Sequence, residues 1–484
     1  MKTLARLALC LLLLPAVQAA AQDIPYFTTD FPPQEFAQRR EQVYAAIGTG
    51  ALAVIQGAAS PAGYTRFRQS NEFYYLCGIE VPHAYLLLDG ATRRATLYLP
   101  HRNEGRERSE GKLLSAEDAD EIKKLSGIDA VAGIELLGEH LSRQVRGAAR
   151  QLYTPFMPAE GFAMSRDLAL RAVADYAADP WDQRPSREGA FISLLRTRFP
   201  QFDIRDLSPT LDQLRLIKSE RELALIRRAT HLACAALLEA MKSTGPGMME
   251  YELDGLAKFI YYRNGAQGEA YYSLIASASN AWYPHYNAGK RRMQDGDFLL
   301  MDFAPDAGYY MSDITRMWPV NGRFSPWQRE LYGFYLDSYR AILQAIRPNV
   351  PVTQIMSEAA QEMDRILARS KFSKPAYERA AQRFVAGYKE SAKRGRLGHW
   401  VGMATHDVGN GDGPLRAGMV FTIEPALTVP EEKIYIRLED LIIIHADRAE
   451  IVSDYLPMKI DEIEKVMQSD GLLKKYPRAT EPGQ

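Results

Sequence analysis

Four acidic side chains in the second half of the chain stand where acidic side chains are costly to place. Asp302 follows Leu299-Leu300-Met301 and precedes Phe303. Asp313 stands in Tyr309-Tyr310-Met311-Ser312-Asp313-Ile314, Glu424 in Phe421-Thr422-Ile423-Glu424-Pro425, and Glu439 closes Ile434-Tyr435-Ile436-Arg437-Leu438-Glu439. Each stretch has the apolar character of a strand, so each carboxylate is directed towards a core. A buried carboxylate persists only when it is paired with a cation or binds a metal. Any one of them could be a structural ion-pair partner. All four, beside a glycine-rich segment that runs Gly398-His399-Trp400-Val401-Gly402-Met403-Ala404-Thr405-His406-Asp407-Val408-Gly409, point to a shared centre. Four carboxylates and one imidazole can hold two divalent cations, with bridging carboxylates setting a separation of about 3.5–4 Å. Oxygen-rich ligation favours Mn²⁺ first, and the imidazole also admits Co²⁺ or Zn²⁺.

The rest of the chain bounds the setting of that centre. Its 484 residues suit two domains rather than one, and 46% hydrophobic residues can fill sizeable cores. A net charge of −1, with no basic block, excludes a nucleic-acid footprint. The first half is mixed α/β. A helical pattern covers 34–45, Ala51–Gln56 reads as a strand, and Ala84–Leu88 with Ala95–Leu99 reads as a hairpin. His101–Lys112 reads as a polar loop. Helical patterns follow near 116–125 and 188–198, and the proline-rich stretch 154–186 between them reads as an irregular insertion. Residues 200–218 cross into a second domain, where Ser219 and Glu222 form a capping box for a long helix. A further helix is expected at Tyr251–Arg263. Strands are expected at Phe298–Phe303, Tyr309–Val320, Val420–Leu427 and Ile434–Ile444, with helices near 326–347 and 352–370. Together these elements predict an α+β protein.

The N-terminus has the pattern of a signal peptide over residues 1–21. Lys2 and Arg6 precede the apolar run Leu7–Leu14, Pro15 breaks it, and Ala19-Ala20-Ala21 offers a cleavage site. The run is too short to span a bilayer, which takes roughly 20 residues. Leu9 before Cys10 is too bulky for a lipoprotein anchor. The expectation is an exported enzyme, periplasmic or secreted, without a membrane anchor. Cys77 and Cys234 each lie in apolar sequence and read as separate buried thiols.

These motifs resemble those of the aminopeptidase P and prolidase family, the pita-bread metallopeptidases. Asp302 and Asp313, eleven residues apart and followed by Ile-Thr-Arg, resemble the first two metal ligands of that family. His399 in Gly-His-Trp-Val-Gly resembles the third, Glu424 in Thr-Ile-Glu-Pro the fourth, and Glu439 in Ile-Arg-Leu-Glu-Asp the fifth. Residues Phe67–Gly78 and Val320–Ser325 resemble the aminopeptidase P branch, so nearly the whole mature chain is covered. The resemblance implies an N-terminal domain (22–207), a pita-bread catalytic domain (208–470) and a tail (471–484). It implies Asp302 on one metal, His399 and Glu424 on the other, and Asp313 and Glu439 bridging. Hydrolysis by a hydroxide between the metals would then release the first residue from Xaa-Pro peptides, with Glu424 as proton shuttle. His285 matches a histidine near the scissile bond and His406 a possible oxyanion donor. Arg437, two residues before Glu439, is expected to orient that bridging carboxylate. A homo-oligomer, dimer or tetramer, is implied as well.

Two positions depart from the family pattern. Gly395 stands where the family usually has a histidine, and Ser109 where aminopeptidase P commonly has a tryptophan. Three other activities share part of these signals: a prolidase-like Xaa-Pro dipeptidase, a creatinase-like metal-free amidinohydrolase, and a catalytically inactive binding module. The full ligand set argues against the last two. His83, His101, His140, His231 and His445 have no partner spacing, and Gly409-Asn410-Gly411-Asp412-Gly413 lacks the Lys-Ser/Thr of a phosphate loop.

Overall fold

Two rows of alternating side chains organise the first half. Along the strand Ala51–Gln56, the side chains of Ala51, Ala53 and Ile55 enter one hydrophobic core and those of Leu52 and Val54 another. Period-two alternation with both faces buried is the pattern of a sheet covered on two sides. The structure, a computed structural model, describes residues 29–476 apart from 146, 148 and 412, so the expected signal peptide lies outside the described residues. Six strands build the sheet: β1 (Ala51–Gln56), β2 (Tyr85–Asp89), β3 (Arg94–Leu99), β4 (Ala130–Gly133), β5 (Gln151–Thr154) and β6 (Asp203–Asp206), in the order β4-β3-β2-β1-β5-β6. β1, β2 and β3 pair antiparallel, while β3/β4, β1/β5 and β5/β6 are parallel. The helix Pro33–Ile47 covers one face with Phe36 and Val43, and the helix Arg187–Arg198 covers the other with Phe191 and Leu195.

Two segments of this half are more ordered than their composition suggests. The expected polar loop His101–Lys112 contains the helix Glu104–Glu110, capped by the Asn103 side chain, which accepts from Arg106 N. Within the expected irregular stretch 154–186 lies the helix Arg166–Ala178. Its sequence, Arg-Asp-Leu-Ala-Leu-Arg-Ala, consists largely of good helix formers, and Ser165 stands in extended backbone at its N-cap.

Past the helix Ser208–Leu216, the capping box forms as expected: Glu222 N donates to Ser219 Oγ, Ser219 N donates to the Glu222 carboxylate, and the helix runs Glu220–Ser243. The helix Glu250–Arg263 packs on it. The remaining strands are short: β7 (Gly268–Glu269), β8 (Leu274–Ser277), β9 (Phe298–Asp302), β10 (Pro305–Asp306), β11 (Thr315–Pro319), β12 (Val420–Ile423), β13 (Ala426–Val429), β14 (Ile434–Arg437), β15 (Asp440–Ile444) and β16 (Ala449–Ile451). They pair as the sheets β11-β9-β8 and β12-β15-β16 and the ribbons β10-β7 and β13-β14. Three helices, Pro326–Ala345, Val352–Arg369 and Pro375–Arg394, lie between β11 and β12. The third was absent from the sequence-based expectation, although Pro375 at its start and Gly395 at its C-cap bracket it.

The strands expected around the acidic residues are shorter than their apolar runs. Tyr309–Val320 is a strand only from Thr315 to Pro319. Val420–Leu427 is interrupted at Glu424 and Pro425, and Ile434–Ile444 at Leu438 and Glu439. The two cysteines are free and buried. Among the described residues no helix is long and apolar enough to cross a membrane.

A buried charge cluster joins the halves. Arg166, Arg215 and Lys218 meet Glu72, Glu160 and Asp407: Arg215 lies 2.7 Å from Glu160 and 2.5 Å from Asp407, Lys218 lies 3.1 Å from Asp407, and Arg166 pairs with Glu72. Three cations face three buried anions, with half-buried Asp212 a further partner 3.3 Å from Arg166, and such pairing is the condition for charges to tolerate burial. Asp407 directly follows His406, so the cluster anchors the histidine segment.

Candidate metal centre

The breaks in the strands are where the acidic side chains gather. Asp302 is the last residue of β9, Asp313 lies two residues before β11, and Glu424 and Glu439 occupy the interruptions of their strands. β9 and β11 pair Asp302 with Thr315, and a bridge pairs Thr315 with Glu439, which brings the ends together. The histidine segment runs beside β12: Thr422 N donates to His399 O, and Val401 N donates to Val420 O. A Cβ at Gly398 would stand 1.9 Å from Thr422 O, so only glycine permits this approach.

All five expected ligands converge. Ligand atoms of Asp302, Asp313 and Glu439 lie within 4.8 Å of one another, as do those of His399, Glu424 and Glu439. His399 Nε2 is 3.5 Å from Asp313, 3.4 Å from Glu424 and 3.7 Å from Glu439. Glu439 Oε2 accepts from Thr315 Oγ1 at 2.8 Å, while Glu439 Oε1 is buried without a hydrogen-bond partner. A buried carboxylate oxygen left unpaired amid three further carboxylates calls for a cation. The donor set, four carboxylates and one imidazole, fits hard or borderline divalent ions.

Neighbouring side chains hold the carboxylates in place. Arg437 donates to Asp302 Oδ2 and, at 3.2 Å, to Glu424 Oε2. It was expected on Glu439. The break after Arg437 ends the strand alternation, and the structure gives Glu439 to Thr315 instead. The Tyr271 hydroxyl is 2.6 Å from an oxygen of both Asp302 and Asp313; having one proton, it donates to one at a time. Burial and those two carboxylates push its pKa far up, so the proton stays. Tyr271 and Thr315 were missed in the sequence, where only Thr315's place in Asp-Ile-Thr hinted at a role.

The His406 ring lies against His399, tilted by 54° with ring centroids 4.2 Å apart, and His406 Nδ1 is 2.9 Å from Asp167 Oδ2. Asp167 comes from the helix Arg166–Ala178, so the N-terminal half reaches into the centre. His285 lines the same cavity of about 1380 Å³, together with His399, Glu424, Arg437 and Gly395. Burial, then the Arg437 and His406 charges, lower the His285 pKa, so its ring is neutral at neutral pH. Gly395 is in the cavity wall. Ser109 is not; its hydroxyl donates to Arg106 O on an exposed helix. His83, His101, His140, His231 and His445 also lie outside that wall.

Without metal, the cluster holds protons. Burial lifts the Asp302 carboxyl to about 6, the Glu439 charge adding to the effect and Arg437 opposing it. Burial, then Glu439, lifts Glu424 to about 7. Burial opposes a charged His399, but the surrounding carboxylates of Asp313, Glu439 and Glu424 outweigh it and raise its pKa well above the usual value. An unfolded carboxyl titrates near ~4. A carboxyl whose folded pKa is raised adds no penalty below its unfolded value, and destabilises increasingly as pH rises through the folded one. The metal-free cluster should therefore weaken the fold as pH climbs from about 4 to 7. Metal binding, which needs these groups deprotonated, should offset that penalty. Thermal melts with and without Mn²⁺ should show the largest metal-induced rise near pH 8 and a small one below about pH 5.5. A rise independent of pH would contradict the assignment.

The comparisons agree with this geometry. Residues 224–446 match Metallopeptidase family M24, and residues 36–153 match the aminopeptidase P N-terminal domain. The Xaa-Pro aminopeptidase of Escherichia coli (strain K12) is 29% identical over 454 residues, covering 90% of this chain and 97% of the relative. That of Haemophilus influenzae is 26% identical, covering 91% and 99%. The structure of E. coli aminopeptidase P with the inhibitor Pro-Leu superposes with a TM-score of 0.72 at 27% identity, covering 90% of this chain and 98% of that one. The expected architecture, an N-terminal domain followed by a pita-bread domain, is thereby established. The chain is a metallopeptidase and belongs to the aminopeptidase P family.

Proposed function

We propose that the enzyme removes the N-terminal residue from peptides with proline at the second position, using two divalent metal ions. The observation that carries the reading is the convergence of four carboxylates and His399 around the unpaired, buried Glu439 Oε1. Asp302 would hold one ion and His399 and Glu424 the other, with Asp313 and Glu439 between them. Mn²⁺ is the first choice for so many oxygen donors, with Co²⁺ or Zn²⁺ next. Two ions bound there supply a nucleophilic water at neutral pH and polarise the scissile carbonyl.

The protein groups divide the remaining work. Glu424 is the carboxylate open to the cavity, its side chain 29% exposed against 1–7% for Asp302, Asp313 and Glu439. It is therefore placed to take the proton of the attacking water and pass it to the proline nitrogen. Arg437 and Tyr271 keep the surrounding carboxylates in register. Asp167 accepts from His406 Nδ1–H and orients the ring, so that His406 as the imidazolium has Nε2–H to donate to the oxygen of the scissile carbonyl. Neutral His285 lies in the same wall, available as a hydrogen-bond partner near the scissile bond.

The domain division 22–207 and 208–470, export to the periplasm or beyond, and assembly into a dimer or tetramer belong to the same proposal. A peptide-library digest with Mn²⁺, read by mass spectrometry, tests the specificity. Release of the first residue only where proline follows is expected. Release regardless of the second residue would reject the proline preference. Cleavage of dipeptides alone would make the enzyme prolidase-like, and hydrolysis of creatine-like amidines with no peptide cleaved would move it to the amidinohydrolases.

A further inference from the structure

Beyond the metal cluster, the cavity wall carries an excess of unpaired positive charge. Arg171, on the helix Arg166–Ala178, and Arg394 and Arg396, at the end of the helix Pro375–Arg394, line the same cavity as His399 and Glu424. All three arginines are exposed, and among the described residues none lies within 4.0 Å of a carboxylate; the Arg394 charge is felt by Glu390 one turn back, which bonds to Lys393. The acidic side chains of that wall are already engaged. Asp167 meets His406, Asp212 meets Arg166 at 3.3 Å, Asp407 meets Arg215 and Lys218, and Asp302, Asp313 and Glu424 belong to the cluster. Arg171 also lies near enough to the centre to help lower the His285 pKa.

Gly395 between the two later arginines has φ +66°, and a Cβ there would meet Thr353 Cγ2 at 2.9 Å. Any side chain at this position would be strained, so the wall presents charge from the flanking arginines. A cavity of about 1380 Å³ exceeds the ~300–1,000 Å³ usual for a small-molecule site, leaving room for residues beyond the scissile bond.

We propose that Arg171, Arg394 and Arg396 form a carboxylate-binding outer subsite that selects peptides carrying a negative charge one or two residues beyond the proline. The carboxylate can be the C-terminal group of a short peptide or an Asp or Glu side chain of a longer one. Guanidinium groups pair with either through two parallel hydrogen bonds. The subsite rests on the aminopeptidase reading above, because the peptide must enter with its N-terminus at the metals.

The test compares kcat and KM of the Mn²⁺-loaded enzyme on Ala-Pro-Ala as free acid and as amide, and on amidated Ala-Pro-Glu-Ala and Ala-Pro-Gln-Ala. The anionic member of at least one pair is expected to have a KM lower by about two- to fivefold at equal kcat, as for exposed charge pairs. The pair that responds identifies the source of the carboxylate. Half a molar NaCl should shrink the preference. The triple variant R171Q/R394Q/R396Q should lose it while keeping kcat on the amides and the melting temperature. Equal KM across both pairs, or a preference that survives in the variant, would overturn the proposal. Failure of the wild type to cleave any of the four peptides would instead remove the aminopeptidase reaction and the subsite with it.

Discussion

Glu424→Gln is expected to lower kcat by about a hundred- to ten-thousand-fold, the range for losing a positioned general acid or base. Glutamine keeps the shape and can still accept from Arg437, which lies 3.2 Å from Glu424 Oε2. It cannot carry the proton. KM on an Xaa-Pro peptide should change far less than kcat, because the lost interaction belongs to the transition state. Steady-state kinetics at saturating Mn²⁺ checks this, with metal content measured in parallel, since Glu424 is also a proposed ligand. A variant that keeps its metal and retains more than a third of wild-type kcat would remove Glu424 from the proton path.

The second large effect is on stability. Arg215→Ala should destabilise the fold by about 3–5 kcal/mol, the usual result of removing one partner from a buried ion pair. Arg215 is 1% exposed and serves Glu72, Glu160 and Asp407 together, so its loss leaves three buried carboxylates short of a cation. Lys218 and Arg166 remain as partial compensation, at 3.1 Å from Asp407 and 3.2 Å from Glu160. Urea unfolding should show a lower midpoint with an unchanged slope. Because Asp407 adjoins His406, activity should fall in the folded variant too. An unchanged midpoint would mean that the cluster does not hold the two halves together.

Much of the centre could be read before the fold was known, because the cost of burying charge is visible in sequence. Asp302, Asp313, Glu424 and Glu439 stand out against their apolar neighbours, and the capping box at Ser219 marks its helix by chemistry alone. The strand breaks at Glu424 and Glu439 were not visible. An apolar run announces burial, whereas the geometry of a shared centre forces the backbone out of the ladder. Tyr271, Thr315 and Asp167 were missed for a related reason: a hydroxyl or carboxylate that serves a site through a tertiary contact leaves no local signature. Asp167 was further hidden by the prolines at 155, 158, 180 and 185, which made its surroundings look irregular although Arg166–Ala178 is helical. β4, β5 and β6, four residues each, are too short for periodicity to separate from loop. Arg437 illustrates the limit of strand alternation, which fails once the chain leaves the strand.

The most direct test of the account is anomalous diffraction from crystals grown with Mn²⁺. Two peaks about 3.5–4 Å apart are expected among Asp302, Asp313, His399, Glu424 and Glu439, the separation that bridging carboxylates impose. Absence of metal at these residues, with full peptidase activity retained in excess chelator, would contradict the account.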